Sequence, residues 1–139
     1  MEILVDTNVL LDFVQERAEA DTAAEIITIC AKDDNITGYI SAHSLMDMCY
    51  ILRKIFSADE RLDLLRQLCN IFTVIETTKE VIIKAAEDKD FTDFEDSVVN
   101  QSAVKIKADY IVTRDMSHGH FKNSDVQVIT PIDFINLIN

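Results

Sequence analysis

The chain has 139 residues, 48% of them hydrophobic, enough for one domain with a substantial core and too few for two ordinary ones. A formal charge of −12, from 25 acidic and 13 basic residues, excludes a broad basic surface that holds nucleic acid by charge alone, so any such contact must be local or metal-assisted. No apolar stretch approaches the roughly 18 residues of a membrane span. Asp6 and Asp12 interrupt the first apolar run with no basic stretch before it, so no signal peptide is read and a soluble cytoplasmic protein is expected.

In chain order, "ILVDTNVLLD" (3–12) opens with three aliphatic residues of strand type, then Asp6 or Thr7 as the cap of a helix over 8–15. A carboxylate beside core costs several kcal/mol unless it is paired, hydrogen-bonded or metal-bound, so Asp6 needs a reason to be there. Capping is one reason and a functional site is the other. A second helix is predicted over 19–32 and a strand over 36–40. Then comes "ISAHSLMDMCYILRK", a helix over 42–55 with Leu45, Met48, Cys49 and Leu52 as its apolar stripe. Asp47 stands within that stripe: facing inward it flags function, facing outward it is a surface acid.

Helices over 59–69 and 78–88 flank a strand over 71–75. In "KDFTDFEDSVVNQSAVKIKADYIVTRD", Thr92 or Asp93 caps a helix over 94–107, Asp96 falls in its first turn, and Val98, Val99, Ala103 and Ile106 form its buried stripe. The strand over 110–112 runs into Thr113, Arg114 and Asp115, repeating the opening pattern, although a turn residue is the plain reading of Asp115 taken alone. A strand over 126–129 and a helix over 131–138 close the chain. Two Gly, one Pro and no repeat or linker leave no internal boundary, so residues 1–139 read as one domain. Cys30, Cys49 and Cys69 lack CxxC spacing and fall in helical segments, which predicts buried, reduced thiols.

Alternating β and α segments predict an α/β fold with a central parallel sheet of about five strands and helices on both faces. Ligands in that architecture sit at the carboxyl ends of strands. A βαβ connection there brings Asp6, Asp96 and Asp115 to one rim. Hard divalent cations such as Mg²⁺ take oxygen ligands of this kind beside substrate phosphates. A metal so held polarises a phosphodiester and activates a water.

Together, "LVDTNVLLD", "ISAHSLMDMCYILRK", "DFEDSVVNQSA", "ADYIVTRD" and "VQVITPIDFINLI", in this order over nearly the whole chain, resemble the PIN-domain family, specifically the small VapC-type toxins of bacterial toxin–antitoxin pairs. The resemblance implies a Mg²⁺- or Mn²⁺-dependent endoribonuclease acting on single-stranded RNA. By position, Asp6, Asp47, Asp96 and Asp115 match the family's four acids, with Asp6, Asp96 and Asp115 as metal ligands and Thr7, Asn8, Ser41 and Thr113 as supporting polar residues. It also implies a small antitoxin covering the pocket, with helical segments 45–56 and 62–68 as contact surfaces, and a homodimer.

Two features depart from the family pattern. Its second acid is usually Glu, whereas no Glu occurs here between Glu25 and Glu60, leaving Asp47 one methylene shorter. After "TRD" the chain reads "MSHGHF", where His118 and His120 form either a transition-metal pair or an exposed loop. A haloacid-dehalogenase-type phosphotransferase needs a second Asp two positions after the first, and Asn8 stands there. The alternative is a catalytically silent PIN-like module that binds a partner without cutting RNA.

Overall fold

The structure, a computed structural model, describes residues 1–116, 121 and 124–139. Among these residues five strands, β1 (Glu2–Val5), β2 (Thr37–Ser41), β3 (Thr73–Ile75), β4 (Tyr110–Val112) and β5 (Gln127–Ile129), form one sheet in the order β3-β2-β1-β4-β5. All four pairings are parallel. Among the described residues seven α-helices connect or follow them: α1 (Thr7–Val14), α2 (Ala20–Lys32), α3 (Ala42–Ile51), α4 (Ala58–Ile71), α5 (Lys79–Glu87), α6 (Phe94–Lys105) and α7 (Pro131–Ile138).

The strands read as continuous apolar runs because both faces of a parallel sheet are covered. Ile3 and Val5 face a core built with Val9, Leu10, Ile26, Met48 and Phe134, while Leu4 faces the opposite core with Ile111, Val99 and Ala103. Each of Ile3, Leu4 and Val5 is at most 1% exposed. Burial of such side chains contributes about 1.5–3 kcal/mol apiece, enough together to hold a costly carboxylate at the end of β1.

From β1 the chain moves outward through β2 to β3, then returns to the other side of β1 for β4 and β5. The order therefore reverses between β1 and β4, and the crevice beyond their carboxyl ends is where this topology opens a binding site. Backbone pairing continues past the strands, with Asp6 N donating to Val112 O at 2.9 Å and Thr113 N to Ile129 O at 3.0 Å.

Three local expectations are corrected. Helix α4 runs through Ile71, so β3 begins at Thr73 rather than 71; Phe72, 3% exposed, is the helix cap. Helix α3 ends at Ile51 and tightens into a 3-10 turn over Leu52–Lys54. Cys69 is exposed and Cys30 and Cys49 are half-buried, so the thiols are free but not uniformly buried. Burial pushes the Cys30 thiol up to about 12, keeping it protonated. Among the described residues no helix is long and apolar enough to cross a membrane.

Candidate metal centre

Asp6 caps a helix and also lines a cavity shared with other acids. It caps α1 in extended conformation, with Oδ1 accepting from Thr7 N at 2.8 Å. Its other oxygen, Oδ2, accepts from Thr113 Oγ1 at 2.9 Å and from Asn8 Nδ2 at 3.3 Å. The β1–β4 pairing is what brings residues 6 and 113 together.

Asn8 ties the rim into one unit. Its Nδ2 also donates to Thr113 Oγ1 at 3.2 Å and to Asp115 Oδ2 at 3.3 Å, while its Oδ1 accepts from Arg114 N at 3.3 Å. Two amide protons cannot serve three acceptors at full strength, which accounts for the uniformly long distances. Asp115 N in turn donates to Thr113 Oγ1 at 3.1 Å. Asp96 arrives on the first turn of α6, where the capping is done by Asp93, whose carboxylate accepts from Asp96 N at 3.0 Å.

These residues surround a cavity of about 260 Å³, lined by Asp6, Asp47, Asp93, Glu95, Asp96 and Asp115 together with Thr7, Asn8, Leu11 and Ile51. Six carboxylates thus share one space, and no Lys or Arg is among its described lining residues. The electrostatics follow. Burial, then repulsion from Asp96 and Asp115, overrides the hydrogen bonds from Thr113 and Thr7 and pushes Asp6 up to about 6. Burial, followed by repulsion from Asp47, Asp6, Asp93 and Asp96, pushes Glu95 up to about 7.

All four acids singled out in the sequence meet at this cavity. Asp47 is half-buried on α3 and faces the cavity, rather than the core or open solvent. Thr7 Oγ1 donates to Ser44 Oγ at 2.6 Å, which locks α1 against the helix that carries Asp47. Ser41 is not part of the network: it begins α3 with a buried hydroxyl that has no hydrogen-bond partner. His118 and His120 lie outside the described residues.

Sequence reasoning passed over Ser44, Glu95 and His43. Glu95 precedes Asp96 in "FEDS", and two adjacent acids in a first helical turn are the one signal that would have nominated it. His43, on the first turn of α3, lies with Nε2 at 3.8 Å from Glu95 Oε1. A larger hollow, of about 770 Å³, lies among α1, α2 and α4. Its acids Glu16, Asp21, Glu60 and Asp63 are all exposed, so it lacks the desolvated carboxylates that distinguish the smaller cavity.

A family model described as PIN domain matches residues 2–117. The chain belongs to the PIN-domain family. Solved structures share its fold at low identity. VapBC2 from Rickettsia felis, bound to a DNA fragment from its promoter, has a TM-score of 0.71 at 16% identity, covering 94% of this chain and 98% of that one. VapBC-1 from nontypeable Haemophilus influenzae has a TM-score of 0.73 at 12% identity, covering 95% and 99%. VapC20 from Mycobacterium tuberculosis, a Sarcin-Ricin loop cleaving toxin, has a TM-score of 0.67 at 17% identity, covering 89% and 95%. No curated protein matches the sequence significantly.

Proposed function

We propose that residues 1–139 act as one PIN domain, a divalent-metal-dependent endoribonuclease that cleaves single-stranded RNA and serves as the toxin of a toxin–antitoxin pair. The observation that carries this reading is the cavity beyond β1 and β4, where six carboxylates meet without a lining Lys or Arg. So much like charge, partly desolvated, is offset if a cation binds. An all-oxygen donor set fits Mg²⁺ or Mn²⁺.

Asp6, Asp96 and Asp115 would hold the ion, with Asp47 at the cavity wall completing the acidic set. Bound there, a divalent ion supplies charge neutralisation at the phosphodiester and a lowered pKa for an attacking water. The chain's own residues prepare the site. Thr113 and Asn8 orient Asp6 Oδ2, Asn8 also steers Asp115, and the Thr7–Ser44 bond keeps Asp47 in range. Once the acids are neutralised, an RNA backbone can approach a surface that otherwise repels it.

Partners follow from the same reading. The Rickettsia felis and Haemophilus influenzae relatives are VapBC assemblies. A small antitoxin is the matching partner here, and the hollow among α1, α2 and α4, where Phe56 and Leu64 come from the two segments singled out in the sequence, is a surface for it. A homodimer and a cytoplasmic location complete the reading; the latter fits three free cysteines.

Purified protein should cut single-stranded RNA, stop in EDTA and resume with Mg²⁺ or Mn²⁺, and Asp6→Asn should lose about a thousand-fold in rate. Cleavage at an equal rate in Asp6→Asn would refute the assignment. Because Asp47 replaces the longer Glu, a silent module is the second reading. It predicts no metal-stimulated cleavage while partner binding persists.

A further inference from the structure

Two of the acids that line the cavity, Asp47 and Glu95, also belong to a cluster of different chemistry. His43, Asp47 and Glu95 each offer one ligand atom, and the three atoms lie within 4.8 Å of one another. Two come from α3 and one from the first turn of α6. None of the three belongs to the Asp6, Asp96 and Asp115 set.

A second observation concerns the imidazole itself. Nδ1 and Nε2 of His43 are both shielded from solvent, yet neither has a hydrogen-bond partner. Nε2 stops 3.8 Å from Glu95 Oε1, beyond hydrogen-bond reach. Buried ring nitrogens are nearly always satisfied, and each orphaned polar group costs about 1–3 kcal/mol. An ion accepted by Nε2 and the two carboxylates removes one orphan and neutralises the local charge. Ligand atoms about 2.0–2.2 Å from a tetrahedral ion lie about 3.3–3.6 Å apart, so a contraction of about 1 Å completes the set. Glu95, whose side chain is 53% exposed, can supply that movement.

We propose that His43, Asp47 and Glu95 form a second cation site, selective for a nitrogen-seeking divalent ion of the Zn²⁺ or Co²⁺ class over Mg²⁺. Imidazole is the discriminating donor: it suits Zn²⁺ and its neighbours, whereas Mg²⁺ favours oxygen and keeps its waters. The third ligand from Glu95 also gives the short Asp47 side chain a partner, so an acid one methylene shorter than Glu still has a ligand role. The proposal rests on the same cavity as the nuclease reading, but its test uses no RNA, so failure of one is distinguishable from failure of the other.

The test is titration of the full chain with Zn²⁺ by calorimetry in excess Mg²⁺, together with Co²⁺ titration followed by visible d–d absorption. The parent should bind one Zn²⁺ under these conditions and develop a Co²⁺ spectrum. His43→Ala should weaken Zn²⁺ about tenfold or more and abolish the Co²⁺ bands, with Mg²⁺ affinity little changed. Glu95→Gln, a change at a largely exposed side chain that keeps the fold intact, should weaken Zn²⁺ in the same direction. Asp6→Asn should retain the Co²⁺ spectrum. The proposal is overturned if His43→Ala and Glu95→Gln bind Zn²⁺ as the parent does, or if Asp6→Asn alone removes the spectrum.

Discussion

Asp6 and Asp12 stand six residues apart in one stretch, both nearly buried at 7% and 2% exposure, yet they differ in what surrounds them. Asp12 lies between two guanidiniums, with Arg17 Nη1 at 3.3 Å and Arg114 Nε at 2.9 Å. Asp6 has neutral hydrogen-bond donors and, beyond them, other carboxylates. Burial alone therefore does not mark an acid as functional. The distinguishing feature is whether the protein itself supplies the compensating charge, as it does for Asp12 and not for Asp6. Arg114 and Asp115 are adjacent in sequence but serve opposite ends of α1, the arginine closing the structural pair and the aspartate joining the open cluster.

The largest effect that sharpens this contrast concerns Asp96. If like charges dominate the cavity, Asp96→Asn should leave the metal-free melting temperature unchanged or raised, although most substitutions of packed residues destabilise. At about 100 times its dissociation constant, a bound Mg²⁺ should stabilise the parent by roughly 2.7 kcal/mol, and the variant should lose most of that gain. Thermal melts with and without Mg²⁺ decide it: a variant that melts several degrees lower without metal and gains equally with it marks Asp96 as a structural residue.

The compensated acid should respond in the opposite way. Asp12→Asn breaks a charge-assisted network, and because Arg17 and Arg114 are both more than 40% exposed and can rehydrate, the loss is about 1–3 kcal/mol, below that for a fully buried pair. Chemical denaturation should show it, with metal affinity retained. A stabilised Asp12→Asn would dissolve the distinction between the two acids.

A smaller effect is set by pH. Asp6 is raised from 3.8 to about 6, so between those values the folded, metal-free chain holds more protons than the unfolded chain. Its contribution to stability is complete below 3.8 and is lost as pH rises through about 6. From about pH 7.5 to about 5.5 the metal-free parent should gain on the order of 1 kcal/mol from this group, and Asp6→Asn should lack that part of the slope. A parent and variant with identical slopes would remove the desolvated acid from the account.

Much of this was legible in the sequence because parallel strands announce themselves as unbroken apolar runs. The runs that became β1 and β4 each end in an acid-bearing turn, so Asp6 and Asp115 could be assigned to one rim before any coordinates. The start of β3 was not legible, since Ile71 and Phe72 close a helix with the same apolar residues that open a strand. Cys69 was misjudged because helical period alone does not say which face of α4 is covered. The unlike fates of Asp6 and Asp12 were equally hidden: Arg114 reaches Asp12 only through tertiary packing. Glu95 and His43 approach to 3.8 Å only in the folded chain, across 52 positions of sequence.

The most direct measurement is the Mg²⁺-induced shift in melting temperature for the parent, Asp6→Asn and Asp12→Asn, compared at one metal concentration. The parent and Asp12→Asn should gain stability by the same amount, each from its own baseline, while Asp6→Asn gains little. An equal gain in Asp6→Asn, or its loss in Asp12→Asn, would contradict the claim that the uncompensated acid is the one that holds metal.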